Sequence, residues 1–156
     1  METKKCSKCG QTKPTSDFHK DSHHKDGLTS HCKVCCAISR KSYRSNNPVM
    51  CWCIDTIHSH KTKHTVLFNP KELYEVAKNT NKCPICGCNL IYGYNKKRKL
   101  RMNSPSLDRI NNESTMTLDN VMIMCYDCNS TKRSRTLDEF IDYSRTVAKL
   151  KKSDEA

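Results

Sequence analysis

The sequence predicts a small α+β fold that does not rest on an apolar core alone. Apolar residues make up only 35% of the 156-residue chain, and mean hydropathy is −0.80. So polar a chain buries little apolar area, and something else must brace it. Twelve cysteines are present, and eight of them fall in four C-x-x-C pairs. Short strand-like runs and capped helical stretches surround those pairs, which gives the α+β class.

The pairs suit tetrahedral zinc better than disulfides, because ligands so close in sequence reach one ion from a tight turn. The N-terminus "METKKCSKCG" is charged and lacks the apolar stretch of a secretory signal. No apolar run approaches a membrane span, so no membrane partner is expected. A reducing compartment follows: the cytoplasm of a bacterial or virus-infected host, or the nucleus. The formal charge is +12 with pI near 9.2. Two four-cysteine zinc sites, each a net −2, would leave about +8. A polyanion is the expected partner, and nucleic acid is the default polyanion.

Along the chain, residues 1–46 form the first module. Cys6 and Cys9 flank a knuckle, and 22 residues separate Cys9 from Cys32 and its partner Cys35. Gly10, Pro14 and Gly27 mark turns between them, and "CAISRKSYR" begins a helix. Knuckle, hairpin and helix make a treble-clef or ribbon-like module with four cysteine ligands. A helical connector is expected over 47–82. Asn47 caps a helix from about 48 to 60, with Val49, Cys53 and Ile57 as its buried stripe. Asn69, Pro70 and Glu72 open a second helix, with Leu73, Val76 and Ala77 facing inward.

The third segment, 83–156, begins at a knuckle with Cys83 and Cys86. The basic run "NKKRKLRMNS" reads as a loop or hairpin tip. "SLDRI" and "NVMIM" read as strands separated by a polar loop of about nine residues. A helix starts at Cys125 and Cys128, and a capping box from Thr136 to Glu139 opens the last helix. Phe140, Ile141, Val147 and Leu150 give that helix its apolar side.

The ordered set C-P-I-C, L-D-R-I, N-V and C-x-x-C-N-x-x-K resembles the HNH, or ββα-metal, endonuclease family in its zinc-stabilised form. The resemblance covers roughly residues 66–140. It implies a nuclease domain with flanking helices, and a four-cysteine zinc module also precedes such domains in phage and viral proteins. By the same resemblance Asp108 is the strand ligand and Asn129 the helix ligand of one catalytic Mg²⁺ or Mn²⁺, and Asn120 ties the loop across the hairpin. Cys6, Cys9, Cys32 and Cys35 would hold one structural Zn²⁺, and Cys83, Cys86, Cys125 and Cys128 a second. Four thiolates leave zinc no open position, so both ions are structural.

Two positions depart from the family pattern. Arg109 stands where the family has a histidine base, and Thr115-Met116 replaces a Gly-Tyr, so a different loop path is expected. A guanidinium cannot act as a general base near neutral pH, but it can clamp a phosphate. Tyr74 is the first candidate for nucleophile or base, since the family's Asp-Arg branch uses a tyrosine near this point. Metal-bound hydroxide, or one of His58, His60 and His64, is the alternative. Read as a group, these histidines with Cys51 and Cys53 match no known ligand spacing; a solvated helix face over two small core cysteines is expected.

Lys96, Lys97, Arg98, Lys99 and Arg101, together with Lys132 and Arg133, are the expected phosphate contacts. The resulting expectation is a metal-dependent endonuclease acting on double-stranded DNA, as a homodimer if its recognition site is symmetric. The rival is a zinc-stabilised nucleic-acid-binding protein whose catalytic site is inactive. A zinc-mediated protein adaptor is disfavoured by the charge.

Overall fold

The computed structural model describes residues 2–93, 101–111 and 115–153, the last six by backbone alone. Two compact units divide the chain, Met1–Asn47 and Pro48–Ala156.

In the first unit β1 (Thr3–Lys5) and β2 (Thr12–Pro14) pair antiparallel and carry the first knuckle between them. The knuckle closes through the Gly10 amide on the Cys6 carbonyl, with Gly10 at φ +73°. That backbone conformation suits glycine, because a Cβ is strained there. β3 (Phe18–Lys20) and β4 (Leu28–Cys32) form a second hairpin, and α1 (Lys33–Asn46) follows without a break. The Lys4 ammonium braces this hairpin. It pairs with Asp26 at 2.6 Å and donates to the Leu28 carbonyl at 2.8 Å. Phe18 is buried with Cys6, Cys32 and Cys35, and Leu28 packs on them. A core built from one aromatic ring and three thiols needs the metal as its fourth wall.

The second unit runs α2 (Pro48–Lys61), β5 (Thr65–Val66), α3 (Pro70–Ala77), β6 (Pro105–Arg109), β7 (Thr115–Met116), β8 (Val121–Cys125), α4 (Tyr126–Lys132) and α5 (Leu137–Ser153). β6 and β8 form an antiparallel hairpin in which Asp108 faces Met122 and Arg109 faces Val121. α3 starts where its capping box dictates. The Asn69 side chain accepts from the Lys71 and Glu72 amides, and Glu72 accepts from the Asn69 amide at 2.7 Å. The Thr136–Glu139 box at α5 is reciprocal in the same way.

One core joins these elements. Cys53 and Ile57 of α2, Phe68, Leu73 and Ala77 in and just before α3, Leu107 of β6 and Ile123 of β8 are all buried in it. The helices expected as a connector over 47–82 are therefore part of the body that carries the hairpin. Other expectations are also revised. Val76 is 45% exposed rather than inward, because Leu73 and Ala77 already fill the buried stripe. Val147 is likewise exposed, and the Leu150 side chain lies outside the described residues. Asn47 turns its side-chain amide back to the Tyr43 carbonyl at 3.0 Å, closing α1. The loop between the hairpin strands contains β7, which pairs in parallel with β5. Met116 of β7 is fully buried, so the Thr115-Met116 departure is where the loop anchors to the body.

Candidate active site

Strand alternation sends Leu107 into the core and leaves Ser106 and Asp108 on the opposite face of β6. β8 ends at Cys125, which caps α4 by accepting from the Cys128 amide. On α4, Asn129 and Lys132 are three residues apart and share one face. The two faces meet residue for residue. Asn129 Nδ2 donates to Ser106 Oγ at 2.6 Å, and Lys132 Nζ lies 2.8 Å from Asp108 Oδ2.

Burial makes the second pair unusual. Lys132 is 1% exposed, and the Asp108 side chain is 15% exposed. Asp108 Oδ2 is buried and has no hydrogen-bond partner among the described residues, so the ammonium beside it balances charge without the alignment of a hydrogen bond. Among the described residues the Lys132 ammonium is the cation that faces this oxygen, and its remaining lone pairs stay open to a further donor or ion. With its nitrogen engaged by Ser106, the Asn129 amide has Oδ1 as its ligand-capable atom. Two hard oxygen donors on adjacent elements fit Mg²⁺ or Mn²⁺.

The expectation that Lys132 is a surface phosphate contact is corrected by its burial against Asp108. Arg133 is exposed, at the end of α4 with φ +56°. Arg101 is half-buried, its amide donating to Ser104 Oγ. Lys96, Lys97, Arg98 and Lys99 lie outside the described residues.

The loop tie is explicit. Asn120 is buried, its Oδ1 accepts from the Asn111 amide at 3.0 Å, and its Nδ2 reaches the Thr115 carbonyl at 3.5 Å. Its carbonyl also accepts from the Ile110 amide, directly after Arg109. One residue thus spans the hairpin loop at the strand end that carries Asp108 and Arg109.

His60 is half-buried on α2 and electrically coupled to this strand end. Burial pushes its imidazole below the ordinary value of 6.5, His64 and Arg109 push the same way, and Asp108 opposes them. α2 is also fixed to the start of β6, where Trp52 Nε1 donates to the Pro105 carbonyl at 3.0 Å. Cys51 and Cys53 are buried core residues, in keeping with the solvated-face reading; His60 departs from it.

Tyr74 is half-buried on α3, packs against the core and acts electrostatically on Lys78. Among the described contacts none joins it to Asp108. Sequence reasoning passes over Ser106, although its place two residues before Asp108 on a strand marks it as a neighbour on the same face.

Both cysteine groups have the geometry of a metal cage. The four sulfurs of Cys6, Cys9, Cys32 and Cys35 lie within 4.8 Å of one another, and so do those of Cys83, Cys86, Cys125 and Cys128. Donation from the Cys32 amide draws Cys6 down to about 5, whereas burial pushes Cys35 up to about 12. In the second cage the Cys88 amide lowers Cys86 to about 6, and burial raises Cys128. Crowded thiols cannot all ionise until a cation joins them, and Zn²⁺ is the ion this donor set suits.

A β-hairpin followed by a helix, with an oxygen-donor pair at the junction and a four-cysteine cage at the helix start, is the ββα-metal arrangement that the sequence resemblance implies. No protein-family model matches the chain, and no curated protein does. Among solved structures it is similar to the rare-cutting HNH restriction endonuclease PacI, at 17% identity and a TM-score of 0.42, with 94% of each chain covered. A likeness at this level carries no function, and the functional reading rests on the residues themselves. Among the described residues, no helix is long and apolar enough to cross a membrane.

Proposed function

We propose that this chain is a metal-dependent endonuclease that hydrolyses phosphodiester bonds in double-stranded DNA. The observation that carries the reading is the meeting of Asp108 and Asn129 at one junction: Ser106, two residues before Asp108 on the same strand face, holds the Asn129 amide at 2.6 Å. The net charge of +12 supports a polyanionic substrate.

Asp108 and Asn129 would hold Mg²⁺ or Mn²⁺, which supplies Lewis-acid stabilisation of the charge growing on the leaving oxygen. Arg109, next to Asp108, clamps a non-bridging oxygen of the same phosphate and neutralises the pentacovalent state. Asn120 holds the loop so that both side chains keep their directions. His60 takes the proton of the attacking water: its depressed imidazole is neutral near pH 7 and can accept. The water oxygen bonds to phosphorus, the P–O bond to the leaving group breaks, and that oxygen is then protonated. Tyr74 is the competing nucleophile, on the family resemblance. A homodimer follows for a symmetric target.

The test is a supercoiled-plasmid assay with EDTA, Mg²⁺ and Mn²⁺ lanes. Nicking is expected with either metal and not with EDTA. Asp108→Ala should cut at least about 100-fold more slowly, with zinc content unchanged. Undiminished cutting by that variant overturns the assignment. DNA binding without nicking in every lane favours the rival, a zinc-stabilised binding protein.

A further inference from the structure

Lys132 buries an ammonium against the carboxylate that is to receive a divalent cation. Two cations cannot share Asp108 Oδ2 without strong mutual repulsion. At 2.8 Å the ammonium already occupies the electrostatic place of a metal ion on that oxygen. A lysine this deeply buried needs a counter-charge, and Asp108 supplies it. Asn129, three residues earlier on α4, is engaged by Ser106 and keeps its place whether or not the ammonium stays.

We propose that Lys132 is the resident counter-ion of the metal site, and that metal uptake is a cation exchange in which its ammonium leaves Asp108 Oδ2. This rests on the reading of Asp108 as a metal ligand. While the site awaits metal, the ammonium holds the carboxylate oriented. When metal binds, the flexible four-carbon stem lets Nζ withdraw from Oδ2. The arrangement weakens metal binding and makes it selective: a monovalent ion gains too little at Oδ2 to displace a fixed ammonium, and a divalent ion gains enough.

The experiment measures Mn²⁺ affinity of the full zinc-loaded chain without DNA, by the paramagnetic resonance signal of free Mn²⁺. Wild type, Lys132→Met, Lys132→Gln and Asp108→Asn are compared. Removal of the competing charge should tighten Mn²⁺ binding by about tenfold or more in both lysine variants. A merely structural lysine would weaken binding when replaced. Unchanged or weaker binding in the lysine variants, with Asp108→Asn still losing the ion, overturns the exchange and spares the metal site. Equal binding by Asp108→Asn and wild type overturns the metal site, and the exchange with it. If neither lysine variant folds, the native chain decides. The Lys132 side-chain nuclear resonance should move on Mg²⁺ addition, and an unmoved signal overturns the proposal.

Discussion

Ser106 and Asn129 meet across the junction of hairpin and helix, Oγ to Nδ2 at 2.6 Å. The strand residue fixes the amide of the helix residue, and so decides which of its atoms is left for the proposed metal. Ser106→Ala removes that anchor. Cleavage should fall about tenfold in kcat with little change in KM for DNA, the scale of a lost partner to a metal ligand. Ser106→Thr keeps the hydroxyl and should restore most of the rate. Steady-state kinetics on a plasmid substrate checks both.

The proposed proton acceptor has a pH signature. His60 sits below 6.5 in the folded chain, so it is mostly neutral at pH 6.5 and above. As pH falls through its lowered value it gains a proton and cannot accept another, so the acid limb of kcat/KM should lie below 6.5. His60→Gln should cost about 100-fold and abolish that limb. Tyr74→Phe should leave both unchanged. The opposite pattern, loss with Tyr74→Phe and none with His60→Gln, assigns nucleophilic attack to the phenol.

Asn120→Ala leaves the Asn111 amide and the Thr115 carbonyl without their shared partner. The expected loss of stability is about 1–3 kcal/mol, as for other buried polar groups stripped of partners. Asn120→Asp retains the acceptor for Asn111 and should lose less. Thermal unfolding of the zinc-loaded chain gives both values.

Two zinc ions per chain are expected by elemental analysis, one for each cysteine cage. A strong chelator should remove them and unfold the first unit outright, because its buried core is Phe18 with three of the cage thiols. Cys125→Ser should instead hit the second unit. Nicking should disappear before the helical signal does, since the hairpin and α4 lose their common fastening point while the α2 and α3 core persists.

What can be read from the sequence is local. The capping boxes at Asn69 and Thr136, the knuckles and the hairpin strands are set by residues within a few positions of each other, and the structure has them. The β5–β7 pairing is two residues long and joins segments about fifty positions apart, so no local pattern announces it. Lys132 reads as a phosphate contact on an exposed helix face, and only the packing of α4 on β6 sets it against Asp108. In the sequence His60 is one of three closely spaced histidines, with His58 and His64. Its partial burial and its electrostatic coupling to Arg109 and Asp108 distinguish it from His58, which is exposed.

The hydrogen bond from Trp52 to the Pro105 carbonyl fixes α2 at the start of β6, so the length of helix between Trp52 and His60 decides where the imidazole lies. One residue inserted between them would rotate the imidazole about 100° around the helix axis, out of register with Asp108. Four inserted residues would bring its bearing back to within about 40° but carry it roughly 6 Å further along the helix. The chemistry available at this junction is therefore calibrated by a length of helix, and a change in that length could retire or reassign the base while every side chain of the hairpin stayed as it is.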